Sequence, residues 1–422
     1  MAHWTRLTVA VVLIQVLLCG IARADSAEVL PKGVWNVRAE LSHSFPITQR
    51  YNPDGNAEDL AVDFNKDLNS DVFTDLAALD PVTESLGLGR ATIGRSVVSF
   101  EYQIDKTEIM VGYGLTDKFS IGLVVPYWVT KNTVSATLDN NANANVGKNP
   151  AFNPALPPSQ TNPPLIPIVA GGVRLTADDV QNILGGGLYI NGGLAIAGFG
   201  YKRIETWEGN SFGDIELGGK YQYYKTDDFR FAFTGGVRFP TGKKDDPDSL
   251  VDINTGDGAY ALLFRLHNDY TGIKNLVLDV TLRYDLILPF HETLRIPDSP
   301  NQPITANKEN VQLDIGDPFE VETSASYEFA KGWTGSLTYR YTKKPKDEVS
   351  GNQGFAYSSL EDESNSTSQI GFVGISYSTL PLYVEKKFPI PLEFSLSYRN
   401  RFAGSGNLWK SEYLILGVSA WF

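Results

Sequence analysis

Cysteine is all but missing from this chain. Its 422 residues hold one, Cys19, and only four histidines. Disulfides are therefore excluded, and the fold must be held by pairing and burial alone. Long apolar runs are missing as well. After residue 24 no stretch reaches the roughly 18 consecutive apolar residues that a spanning helix needs, so a helical membrane protein is excluded. Basic residues are outnumbered, 36 Lys and Arg against 49 Asp and Glu, for a formal net charge of −13. An acidic surface argues against nucleic acid as a partner.

What is present begins with residues 7–22, LTVAVVLIQVLLCGIA, preceded by Arg6 and followed by Ala22-Arg23-Ala24. Residues 1–24 are expected to be a secretory signal peptide cleaved after Ala24. Cys19 lies inside this run behind Leu18, where a lipoprotein would need a small residue. Cleavage removes Arg6 and Arg23 but no acid, taking the net charge from −13 to −15.

The rest of the chain alternates apolar and polar residues with a period of two. Val98, Phe100, Tyr102 and Ile104 alternate with polar neighbours, and the pattern continues through Ile109, Val111, Tyr113 and Leu115. Leu276, Leu278, Val280, Leu282, Tyr284 and Leu286 oppose Asp279, Thr281, Arg283 and Asp285. The spacing predicts twelve strands, at 34–45, 96–115, 118–137, 211–224, 228–240, 257–270, 275–289, 316–329, 332–343, 367–378, 390–403 and 411–422. The tenth is weaker, with apolar residues on both faces. An all-β transmembrane antiparallel barrel fits, because such a strand needs only about 9–11 residues.

The connections support that fold. The turns at 116–117, 225–227, 271–274 and 330–331 are tight. The opposite set is mostly long, and the largest inserts lie near 46–95 and 138–210. Barrels of the bacterial outer membrane have short periplasmic turns and long external loops. Within the inserts, Leu60, Phe64, Leu68, Val72 and Leu76 have helix-compatible spacing over 57–79. Thr176-Ala-Asp-Asp179 has capping-box spacing for a short helix. The apolar segment 163–170, with the 46–95 insert, is expected to cap or plug the external mouth. The chain ends YLILGVSAWF, with Leu414, Leu416, Val418, Ala420 and Phe422 set toward lipid and Tyr413, Ile415 and Trp421 inward or at the rim. Tyr127, Trp128, Tyr223, Tyr224, Trp333, Tyr341 and Trp421 suit two aromatic girdles.

In a membrane barrel the polar face is the inside. It carries Arg230, Arg238, Arg265, Arg283, Arg340, Arg399 and Arg401 against acids that include Asp279, Glu320 and Glu322. These can pair across strands and fill the interior, or line a solute path and set its selectivity. The ten residues are the lumen candidates.

Gly112–Tyr127 (GYGLTDKFSIGLVVPY), Gly213–Tyr221 (GDIELGGKY) and Phe239-Pro-Thr-Gly242 resemble hairpins of the outer-membrane proteins called "MetA-pathway of phenol degradation". The resemblance covers roughly residues 100–290 and is silent about substrate. It implies a barrel that passes small compounds, hydrophobic or aromatic ones among them. A more distant likeness is to the long-chain fatty-acid channels, which have about fourteen strands rather than twelve.

Other chemistry finds little support. Asp63-Phe-Asn65-Lys-Asp67-Leu-Asn69 begins like a calcium loop, but Leu68 replaces the required glycine and Thr74 the closing glutamate. No phosphate-binding loop, cofactor signature or metal site is present. His267, beside Asn268 on an inward face, is the one histidine that a lipase- or protease-like barrel enzyme could use; a structural or adhesive barrel is the other alternative. The expected function is a passive outer-membrane channel. Its expected partners are membrane lipid and lipopolysaccharide, the barrel-assembly machinery through the strand ending at Phe422, and a small-molecule solute.

Overall fold

The computed structural model describes residues 26–422 except Ala142, Asn301 and Pro303, so the expected signal peptide lies outside the described residues. Twelve antiparallel strands form a closed barrel. They are β1 (Trp35–Ser44), β2 (Thr92–Thr116), β3 (Phe119–Asp139), β4 (Ile215–Lys225), β5 (Phe229–Phe239) and β6 (Ala261–Ile273), then β7 (Leu276–Ile287), β8 (Phe319–Ala330), β9 (Trp333–Lys344), β10 (Ser366–Ser378), β11 (Leu392–Ser405) and β12 (Glu412–Trp421). Each pairs with the next. β12 returns to β1, with Asn36 opposite Trp421 and Ser44 opposite Tyr413. All twelve match the expected strands, displaced by a few residues at some ends. A short strand, Trp207–Phe212, also pairs with β3 above β4.

The tight turns have the residues their geometry requires. Asn275 (φ 61°) and Gly332 (φ 78°) take the left-handed positions of the β6–β7 and β8–β9 hairpins. Large apolar side chains cover the outside, including Leu123, Leu217, Leu337, Val373 and Leu416, all exposed. Tilted ring pairs gather near the tight turns: Trp35 with Tyr113 at 4.6 Å, Phe229 with Tyr270 at 5.1 Å and Trp333 with Tyr377 at 4.9 Å. Such rings sit at a lipid–water boundary. Trp128 corrects the girdle expectation. It shares the inner face with its register partner Lys106, whose ammonium lies 5.0 Å from the indole.

β2 and β3 are far longer than the others and change character along their length. Near the tight turn their odd-numbered residues are apolar and exposed, as at Ile109, Leu115, Ile121, Leu123 and Val129. Further up, the even-numbered Val98, Phe100 and Ile104 are buried instead. The pairing runs without a bulge from Arg95↔Asp139 to Gly114↔Ser120, so the apolar residues exchange faces while the strand does not. A strand of about 9–11 residues crosses the bilayer. The upper part therefore stands in water, and its apolar side turns inward.

That inward side packs on a cap built from the two large inserts. Helix α1 (Ala177–Leu184) starts at the expected capping box, with the Thr176 side chain and Asp179 bonded reciprocally. Its Ile183 and Leu184 join Leu68, Val72, Leu76, Leu165 and Leu188 in one buried cluster. The helix expected over 57–79 does not form. The chain makes short strands at Ala57–Asp59 and Asp67–Asn69 and 3-10 turns at Val62–Phe64 and Thr74–Leu79. Asp59 accepts from the Ala61 N–H at 2.8 Å and Asn69 from that of Asp71 at 2.9 Å, local bonds that compete with a helical ladder. Leu60, Leu68, Val72 and Leu76 are buried nonetheless, and Phe64 half-buried. A second external unit is a three-stranded sheet of Phe290–Arg295, Lys308–Asp314 and Glu348–Ser350.

Candidate functional site

Alternation along β4–β9 points polar side chains into the lumen, and register decides which of them meet. Arg238 on β5 lies 2.7 Å from Glu216 on β4 and 3.0 Å from Asp285 on β7. Arg265 on β6 pairs with the same Asp285. Arg283 reaches Glu320 at 3.0 Å and Glu322 at 3.2 Å, and Arg340 reaches Glu322 at 2.7 Å. Asp279 accepts a 2.6 Å bond from Ser324. These residues form two ion-pair groups, one from β4 to β7 around Asp285 and one from β7 to β9 around Glu322, with the Asp279–Ser324 bond beside them. Arg38 on β1, with Glu40 at 2.8 Å, adds a separate pair.

Arg399 and Arg401 on β11 differ. The Arg399 guanidinium lies 4.8 Å from the Tyr413 ring centre, and Arg401 donates to Ser368 Oγ at 3.1 Å and to the Trp409 carbonyl at 2.7 Å. Neither has a carboxylate partner among the described residues. All ten sequence candidates thus lie on the inner face, eight in pairs or hydrogen bonds with side chains of opposite character and two without an acid.

The periplasmic end has an occupant that sequence periodicity missed. Residues 26–33 leave β1 and run back across the lumen. Asp269 on β6 accepts from the Ser26 hydroxyl at 2.7 Å and from the Ala27 N–H at 2.8 Å. Lys220 donates to the Ser26 carbonyl at 2.7 Å, Gln222 to that of Ala27 at 2.9 Å, and Leu30 N–H to Ser120 Oγ at 2.8 Å. Glu28 pairs with Arg230 at 3.1 Å. β6 lies five strands from β1 in a ring of twelve, so the segment spans nearly the full width of the barrel. Gly114 makes the crossing possible: a Cβ there would stand 2.0 Å from the Pro31 carbonyl oxygen. Two inward glycines, Gly112 and Gly114, were the available sequence signal.

The cap holds an apolar cavity of about 220 Å³ between the 57–79 segment, α1 and the tops of β2 and β3, with Phe64, Leu68, Val72, Leu138, Leu184 and Ile304 in its wall. An apolar cavity of about 150 Å³ is enough to hold benzene. Ile204, also in the wall, packs against both the cap cluster and a second cluster of Ile47, Phe100 and Ile104. Trp128, Trp409 and Tyr413 pack on that second cluster, so apolar surface continues from the cap to the upper lumen. Next along the lumen is a polar cavity of about 290 Å³, lined by Lys106, Glu108, Glu216, Arg238 and Asp257.

Asp245, in the loop between β5 and β6, has an exposed surface yet is crowded by neighbouring carboxylates. Burial first, then the charges of Asp252, Glu292 and Asp246, push its carboxyl up to about 6. Burial also raises Glu292. The calcium-like stretch is committed elsewhere, Asp63 to Arg50 and Asp67 to Arg95. Among the described residues no group of three or more His, Cys, Asp or Glu is arranged to hold a metal. His267 is fully buried between Thr234 Oγ1 at 2.8 Å and Thr281 Oγ1 at 3.3 Å, a structural setting.

Comparison with known proteins agrees with this architecture. A sequence model of the family described as "Putative MetA-pathway of phenol degradation" matches residues 166–378. No curated protein matches the sequence. Among solved structures, an outer membrane channel from Pseudomonas putida F1 superposes with a TM-score of 0.50 at 11% identity, covering 95% of this chain and 100% of that one. A Pseudomonas aeruginosa FadL homologue reaches 0.35 at 10% identity, over 93% of this chain and 90% of that one. The monoaromatic hydrocarbon channel CymD reaches 0.31 at 9% identity, over 93% and 88%. At such identities the first likeness speaks for the fold alone.

Proposed function

The chain belongs to the MetA-pathway of phenol degradation family, and from that premise we propose that it is an outer-membrane channel for passive uptake of small apolar or aromatic compounds. The observation that carries the proposal is the apolar cavity in the cap, joined by Ile204 and a line of aromatic residues to the lumen of a closed barrel. A solute leaves water by entering the cap cavity, where burial of one ring's apolar surface supplies the affinity. It then moves past Trp128, Trp409 and Tyr413 into the lumen. The lumen charges select among the solutes that get this far. The N-terminal segment, crossing the far end, is the last constriction before the periplasm.

The barrel needs membrane lipid around its apolar belt. The β12 end at Phe422 is its proposed contact with the barrel-assembly machinery. The acidic external loop around Asp245, Asp246 and Asp248 is the proposed face toward divalent-bridged lipopolysaccharide. No catalytic step is assigned to the chain.

A purely structural barrel is the second reading, favoured by the ion pairs that occupy the lumen from β4 to β9. Liposome flux decides between them. Refolded protein in vesicles should pass toluene or phenol faster than protein-free vesicles, and Leu184→Trp, which fills the cap cavity, should slow that flux several-fold. Flux equal to that of protein-free vesicles would leave the structural barrel standing.

A further inference from the structure

We infer that Arg399 and Arg401 form an anion-binding subsite in the upper lumen, and that its ligand is an aromatic carboxylate. This rests on the lumen being a solute path.

The starting observation is a contrast within one wall. Arg38, Arg230, Arg238, Arg265, Arg283 and Arg340 each have an acid partner on their own or another strand or on the N-terminal segment. Arg399 and Arg401, two residues apart on one face of β11, have none among the described residues. A guanidinium held in a narrow, partly dehydrated space without a counter-charge is unfavourable. The fold supplies carboxylates to six arginines and leaves these two for an anion from outside.

The surroundings define that anion. Arg399 stands in the ladder between Phe372 on β10 and Tyr413 on β12. Its guanidinium lies over Tyr413, while that of Arg340 lies 5.2 Å from the Phe372 ring centre. Arg401 is held in place by Ser368 and the Trp409 carbonyl, which fixes its planar fork. Ile370, its ladder partner, is buried. A planar fork matches a carboxylate with two parallel hydrogen bonds. Flanking rings and Ile370 give the ligand's ring apolar surface and edge-to-face partners. A small inorganic anion would use the charge and leave the rings unused. A neutral hydrocarbon would use the rings and leave the charges bare. An aromatic acid uses both.

The subsite also lies on the proposed route, since Tyr413 packs on the same apolar cluster as Ile204 and Trp128. It would select among solutes already admitted by the cap.

The test compares benzoate with benzyl alcohol and inorganic phosphate, on the full mature chain in detergent by calorimetry and in planar bilayers. Benzoate should bind wild type at least tenfold tighter than either of the other two. Arg399→Gln with Arg401→Gln should weaken benzoate at least tenfold and leave benzyl alcohol unchanged. Arg399→Lys with Arg401→Lys, which keeps the charge and loses the fork, should fall between; heat-modifiable migration on gels reports that each variant is folded. Equal affinity for benzoate and benzyl alcohol in wild type, or unchanged benzoate binding in a folded Gln variant, overturns the inference. Phosphate binding as tight as benzoate overturns its aromatic part. Benzoate binding without any solute flux overturns the channel instead and leaves the subsite in place.

Discussion

Within β2 and β3, one hairpin is built to two opposite rules. Its lower part is apolar outside and polar inside, with Leu123 exposed to lipid and Lys106 and Glu108 in the lumen. Its upper part is the reverse, with Phe100 and Ile104 buried beneath the cap. The backbone ladder is the same throughout. What changes is the solvent on the outer side, hydrocarbon below and water above. The lesson is that alternation marks a strand but not which face is core; only its phase, traced along the strand, locates the membrane edge, here between Ile104 and Ile109.

The largest effect should come from placing one charge on each side of that edge. Leu123 and Val97 are both aliphatic, outward and exposed. Leu123→Arg puts a guanidinium in hydrocarbon and should destabilise the barrel in lipid by about 2–4 kcal/mol. Val97→Arg puts it in water and should stay within about 0.5 kcal/mol of wild type. Urea unfolding from lipid vesicles measures both. Similar losses at the two sites would erase the boundary.

The strands were legible because each is long, alternates cleanly and is bounded by a tight turn. The exchange of faces was written in the residue numbers too, even at 98–104 and odd at 109–115, but it has meaning only once both sides of the hairpin have surroundings. The 57–79 segment shows the opposite failure. Leu60, Leu68, Val72 and Leu76 are buried, yet Asp59 and Asn69 turn the chain locally and no helix forms. Parity alone placed the ten lumen candidates on the inner face. Their partners were not legible, because Arg238 meets Asp285 across an intervening strand, and register fixes such a meeting. The N-terminal crossing has no periodicity at all and leaves its mark only in Gly112 and Gly114.

The interiors differ as much as the exteriors, and the lower one depends on polar bonds to the crossing segment rather than on packing alone. Asp269 accepts two of the four bonds that hold Ser26 and Ala27, the other two coming from Lys220 and Gln222. Bonds to a charged group contribute about 1.5–3 kcal/mol each. Asp269→Ala should therefore release residues 26–33, seen as faster amide exchange there and as trypsin cleavage after Lys32, while the cap stays protected. Gly114→Val should do the same by steric exclusion. In a bilayer both should raise conductance. Protection of the segment in both variants would mean that it is held by something other than these contacts.

The smallest effect lies in the external loop between β5 and β6. With its carboxyl pushed up to about 6 by burial and by Asp252, Glu292 and Asp246, Asp245 favours the folded loop when protonated. An acid whose folded value exceeds its unfolded one, about 3.9, contributes stability that is complete below the unfolded value and lost as pH rises through the folded one. The loop at 241–256 should therefore hold more tightly at pH 5 than at pH 7.5. Because Asp245 is in contact with solvent, the change should be modest. Amide exchange of the loop, corrected for intrinsic rates, should quicken with a midpoint near pH 6, and Asp245→Asn should flatten the profile. The crossing segment 26–33, bonded to Asp269 at the other end of the lumen, should not respond over the same range. A parallel response there would mean that the titration acts on the whole barrel rather than on this loop.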